Sequence, residues 1–167
     1  MSVKLPNDTI GMLLTDVSRL LRGAFDRTIS AAGLGLTPGE ARALIQVAAS
    51  GGIKQTEIAQ RMGIEPMTLS TYLDRLEGLG LVARVADPND RRAKHVVLTD
   101  QADGVMLAIQ ADVTRMMESV TAGLGEEARA MLRQSLLTLR DNLQAIDPSC
   151  PSGRTPAPPP APAEIKA

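Results

Sequence analysis

One cysteine and one histidine stand in 167 residues, too few for an ordinary His/Cys zinc site or an internal disulfide. The lone thiol, Cys150, fits a reducing compartment and a cytoplasmic protein. Aromatic residues are almost missing: Phe25 and Tyr72 are the whole set, so a stacked-ring cage for a ligand has almost no material. No apolar run approaches the roughly 18 residues that a membrane span needs. The residues behind Lys4 supply neither the apolar stretch nor the cleavage site of a secretory signal. Also absent are a glycine-rich phosphate loop, a nucleophile–base pair and a metal cluster, which makes an enzyme the least supported class and implies no cofactor. Nor is there a strong charge balance: 18 basic against 19 acidic residues give a formal net charge of −1, where a nucleic-acid binder usually carries a basic footprint.

Residues 53–99 carry the strongest positive signal. A short helical pattern over 55–62 sets Ile58, Ala59 and Met62 on one face, and Gly63-Ile64 supplies a tight turn. Glu65-Pro66 opens a second helix with Leu69, Leu73 and Leu76 at helical spacing, ending at Gly80. Two β-rich runs follow, 81–86 and 95–98, separated by Asp87-Pro88-Asn89-Asp90-Arg91-Arg92. A helix shaped for a major groove, followed by a hairpin with two arginines at its tip, is a winged helix-turn-helix able to bind double-stranded DNA. Charge distribution agrees better than the total. Residues 81–99 hold Arg84, Arg91, Arg92 and Lys94 against Asp87 and Asp90, whereas the following helix holds Asp100, Asp103, Asp112 and Glu118 against Arg115. A solvated hairpin turn is the plainer alternative for the arginine tip.

The flanks read as helices. Residues 8–30 keep a helical apolar period through Ile10, Leu13, Leu14, Val17, Leu20, Leu21, Ala24 and Ile29. Thr37-Pro38-Gly39-Glu40 spells a capping box with proline at the first helical position. Thr99 is expected to cap a long helix reaching about Ala122, and after Gly123-Leu124-Gly125 a last helix runs through Ala128, Leu132, Leu136, Leu139 and Leu143. The terminal helices carry apolar faces too broad for a small monomer to cover. An intramolecular core takes part of them, and mutual burial in a two-fold homodimer takes the surplus, presenting two recognition helices to a palindromic site. The expected fold is mainly α with a small β wing: residues 1–147 form one domain, with 8–31 and 100–145 as dimerisation helices around a winged helix-turn-helix at 37–99. Residues 148–167, rich in proline and alanine, are expected to be a disordered tail.

Asp90-Arg91-Arg92-Ala93-Lys94-His95-Val96-Val97-Leu98-Thr99 resembles the wing motif of the MarR family of bacterial transcription regulators. Glu65-Pro66-Met67-Thr68-Leu69, with Leu73-Asp74-Arg75-Leu76-Glu77 and Gly80-Leu81-Val82, is similar to that family's recognition-helix pattern. The resemblance spans about residues 8–145. It implies a homodimer on a pseudo-palindromic operator, with Arg92 entering the minor groove, Asp90 holding the wing and Arg91 as the adjacent candidate. Arginine is drawn by the negative potential of a narrow A·T-rich minor groove, which agrees.

On the recognition helix, Pro66, Met67, Thr68, Ser70 and Thr71 occupy the exposed N-terminal turns. Thr71 and Tyr72 depart from the family, which often has an arginine and an aliphatic residue there. Specificity is therefore expected to rest on threonine hydroxyls, methyl contacts and the wing. Arg75 is a candidate for a phosphate contact or, equally, for an ion pair with neighbouring acids. The resemblance also implies a repressor released by a small apolar or aromatic anion bound near the first helix. Arg19 and Arg22 are candidate cations for it, although helix-surface arginines such as Arg19, Arg22 and Arg27 are usually just solvated or paired. Met12, Met106, Met116, Met117 and Met131 could line an adaptable pocket or simply pack the core. A winged-helix protein-interaction module without an operator is the rival reading, and the two wing arginines argue against it.

Overall fold

The computed structural model describes residues 8–86 and 94–147, Lys94 by its backbone alone. The expected wing tip, Asp90, Arg91 and Arg92, and the proline-rich tail with Cys150 therefore lie outside the described residues. Six helices and three short strands follow in the order α1 (Ile10–Ala31), α2 (Pro38–Ala48), β1 (Ile53–Lys54), α3 (Gln55–Met62), α4 (Pro66–Gly78), β2 (Val82–Ala86), β3 (Lys94–Leu98), α5 (Ala102–Val120) and α6 (Glu126–Ile146).

Local chemistry explains most boundaries. The capping box of α2 forms as spelled: Glu40 N–H donates to Thr37 Oγ1 at 3.3 Å, and Thr37 N–H donates to Glu40 Oε2 at 2.8 Å. Helix α3 ends at Gly63, whose φ of +62° closes the turn in a left-handed conformation that costs a residue with a Cβ. The chain then re-enters helix at Pro66, where the missing N–H is no loss.

Two expectations need correction. Thr99 does not cap α5. Its hydroxyl donates to the Gly80 carbonyl, and its N–H donates to Leu81 O at 3.1 Å, so it staples the start of β2 to the end of β3. Helix α5 starts at Ala102 instead, with Gln101 at its cap position and no side-chain cap bond. The second correction is a third strand. Residues 53–54 pair antiparallel with β3 (Ile53 with Val96, Lys54 with His95), giving the sheet order β1-β3-β2. Two residues show no alternation, so periodicity could not reveal this strand.

The core sits beneath the sheet, among α2, α3 and α4. Leu44, Val47, Ile58, Leu69, Leu73, Leu76, Val82 and Val96 are completely or almost completely buried, with Ile29 of α1 and Ile109 of α5 closing it. Helix α6 differs from every other helix in having no buried residue at all. Its Met131, Leu132, Leu136, Leu143 and Ile146 lie exposed, as do Ile10, Leu13, Val17 and Leu20 along α1. Both helices are amphipathic and, in a single chain, their apolar sides face water.

Candidate nucleic-acid interface

Helix α4 divides cleanly into two sides. Leu69, Leu73 and Leu76, each wholly buried, hold it to the core. The opposite side begins with Pro66, Met67, Thr68 and Thr71, all exposed, while Ser70 and Tyr72 are half-buried at its margins. Tyr72, one of the departures noted in the sequence, lies against the N-terminal turn of α2. A Cβ at Gly39 would come within 2.6 Å of the Tyr72 ring. The absence of a side chain at 39 is thus what lets an aromatic residue stand at 72 while α2 and α4 stay in contact.

Two cations on or beside this helix are committed to neighbours. Arg75 Nε lies 3.1 Å from Glu40 Oε1, and its Nη2 donates to Gly35 O at 3.3 Å. Of its two expected roles, the folded chain displays the ion pair. Because Glu40 also closes the α2 cap, this one carboxylate ties the entry of α2 to the last turn of α4. Arg84, on β2, reaches back to α4. Its Nη2 lies 2.6 Å from Asp74 Oδ1, its Nη1 bonds Glu77, and its backbone N–H donates to Glu77 Oε1 at 3.3 Å. The side chain is only 15% exposed. Burial works against its charge, but hydrogen bonds to Asp74 and Glu77 and the charges of both carboxylates outweigh it, so its pKa is raised above the ordinary arginine value. Arg84 was counted among the wing's cations in the sequence; in the fold it braces β2 against α4.

Strands β2 and β3 pair in continuous register from Val82–Leu98 to Ala86–Lys94. The described pairing ends at Ala86–Lys94, remote from the Thr99 staple, and Asp90, Arg91 and Arg92 lie outside the described residues. His95 stands in β3 opposite Val85 and Lys54.

A separate crevice of about 380 Å³ opens between α1, α2, the end of α3 and α5. Arg22, Phe25, Arg42, Gln46, Arg61, Met116 and Met117 are among its walls. Of the two candidate cations for a ligand, Arg22 lines this crevice. Arg19 does not: it is exposed, pairs with Asp16, and lies away from the crevice. Of the five candidate methionines only Met116 and Met117 reach the walls; Met12 and Met131 are exposed, and Met106 packs against the core.

The more telling groups, Arg42 and Arg61, went unread because they meet only in three dimensions. Arg42 pairs with Asp26 and places its guanidinium carbon 5.9 Å from the centroid of the Phe25 ring, a cation–π distance. The Arg61 side chain is 8% exposed. Its Nη2 lies 2.6 Å from Glu57 and its Nη1 donates to Ser50 Oγ at 2.9 Å, while its buried Nε has no partner. Among the described residues no group of three or more His, Cys, Asp or Glu is placed to hold a metal ion, and no helix is long and apolar enough to cross a membrane.

The sequence profile of the MarR family matches residues 36–94, from just before the α2 cap to the first residue of β3. The transcriptional regulator PA3341 is 38% identical, over 82% of this chain and 99% of its own, with a TM-score of 0.70. The transcriptional repressor CouR, solved on a 23-mer DNA duplex, is 30% identical over 83% of this chain and 99% of its own, with a TM-score of 0.65. CouR from Rhodococcus jostii RHA1, solved with p-coumaroyl-CoA, is 27% identical over 86% of this chain and 95% of its own, again with a TM-score of 0.65. A helix-turn-helix with its wing strands, enclosed by long helices and matched along almost the full length of related regulators, has one meaning: this chain belongs to the MarR family and is a DNA-binding transcriptional regulator, not an enzyme.

Proposed function

We propose that this regulator is a homodimeric repressor of a pseudo-palindromic operator, released by a small apolar or aromatic anion. The observation that carries the DNA half of the reading is the two-sided α4. Its core side is saturated with leucine, and its first turns offer Pro66, Met67, Thr68, Ser70 and Thr71 to a major groove. Asp90, Arg91 and Arg92 supply the minor-groove contact in this account, and Arg75 lies where a phosphate would compete with Glu40 for it. The bare faces of α1 and α6 supply the dimer contact, with 8–31 and 100–145 as the assembling segments. Related CouR has been seen on a DNA duplex, which favours the operator over a purely protein-binding module.

The test of the wing is Arg92→Ala. Operator affinity, followed by fluorescence anisotropy at fixed salt, is expected to fall by about 1–3 kcal/mol while dimer mass and helix content stay unchanged. Unaltered affinity would remove Arg92 from the interface.

For the effector, the crevice offers an apolar wall of Phe25, Met116 and Met117 beside Arg22, Arg42 and the under-bonded Arg61. That is a setting for a carboxylate attached to a hydrophobic body, and CouR binds a CoA thioester of such an acid. A ligand there shifts the protein between shapes only by its difference in affinity for them. A panel of phenolic and aromatic acids, and their thioesters, titrated into the protein–operator complex is expected to yield at least one that both binds free protein and releases DNA. If none does both, the effector reading fails and a constitutive regulator takes its place.

A further inference from the structure

The composition of the α4 surface bears on which bases it reads. Met67 is 80% exposed, and nothing in the protein's own packing accounts for a long apolar side chain at the first turn of this helix. Thr71 stands one turn further on, at i+4, on the same side. Its hydroxyl donates to Met67 O at 3.2 Å, so its one donor is engaged along its own helix. Thr68 is exposed between them. The outer side of these two turns therefore offers an exposed thioether and, beside Thr68, a threonine whose donor is already engaged.

The side chains that usually discriminate bases by paired hydrogen bonds are missing from it. Arginine or lysine would read guanine, and asparagine or glutamine would read adenine; residues 66–72 contain none of these. The nearby arginines, Arg75 and Arg84, are held by Glu40, by Gly35 O, and by Asp74 and Glu77. The apolar mark that a major groove presents is the C5 methyl of thymine.

We propose that Met67 and Thr71 determine specificity by enclosing thymine C5 methyl groups in each half-site. The inference rests on the docking of α4 in the major groove put forward above. Because the recognised feature is a methyl group at C5, removal of that methyl without any change in base pairing is the decisive perturbation.

The experiment uses the full-length protein and a duplex obtained by selection from random sequence. Each thymine in one half-site is replaced in turn by deoxyuridine, and affinity is measured by fluorescence anisotropy at constant salt. One or two positions are expected to lose about fourfold each, the worth of one buried methyl. Thr71→Ser, which keeps the hydroxyl and deletes the methyl, and Met67→Ala are each expected to lower affinity for the thymine duplex and to abolish the thymine–uracil difference at one position. Equal affinity for every thymine and uracil duplex overturns the proposal while leaving α4 docking intact. So does a thymine preference that survives in both variants, since it would come from DNA flexibility alone. If selection yields no preferred duplex, the docking reading itself fails, and this inference fails with it.

Discussion

The double substitution Leu143→Glu, Ile146→Glu is expected to yield a folded monomer that has lost the operator. In the single chain these residues are 63% and 80% exposed and neither belongs to the buried cluster, so glutamate there removes little internal packing and the winged core should keep its stability. In the proposed dimer the cost falls on assembly. A leucine or isoleucine taken fully out of water contributes about 1.5–3 kcal/mol, and two-fold symmetry loses each one twice. Separating the subunits also removes the gain from holding two half-sites at once, which is on the order of 10²–10⁴-fold in affinity. Light scattering at micromolar concentration should report the monomer mass, circular dichroism an unchanged helix content, and anisotropy the collapse of operator binding. A dimer that survives both glutamates would mean that this end of α6 is not at the interface.

Leu73→Ala should have the opposite profile. Leu73 is fully buried at the centre of α4, within the same cluster as Leu44, Ile58 and Val96. Truncation opens a cavity that close-packed neighbours fill only in part, at a cost of about 2–5 kcal/mol. Against a typical domain stability of about 5–15 kcal/mol that is a severe loss, readable as a lower midpoint in urea. The exposed residues of the same helix, proposed to meet DNA, are untouched, so operator affinity per folded molecule, measured well below the unfolding transition, should change little. An equal loss of affinity per folded molecule would mean that the two sides of α4 are not independent.

That division was legible in the sequence because it is local. Leucines at 69, 73 and 76 repeat with the helical period, and Thr37-Pro38-Gly39-Glu40 names its own cap. What could not be read depends on distant partners. Thr99 followed by aspartate looks like a helix start until Gly80 and Leu81 claim its hydroxyl and N–H. Arg84 looks like a wing cation until Asp74 and Glu77 stand within reach. Arg42 and Arg61 lie on different helices, and nothing in their sequence spacing announces a shared crevice. Tyr72 seemed an anomaly only because its counterpart, the bare Gly39, lies on another helix. The charge of the chain was equally uninformative as a total, since ion pairs rather than counts decide which cations remain available.

The brace formed by Arg84 with Asp74 and Glu77 has one more consequence. With the guanidinium bridging two carboxylates across the gap between α4 and β2, the helix proposed to read DNA and the strand that follows it are tied together. Under the proposed docking, a helix and strand tied in this way adjust their mutual offset little to suit a particular duplex. The adjustment must come from the DNA, through local twist and groove width. An operator would then be chosen partly for base steps that yield easily between the two contacts, at positions no side chain touches.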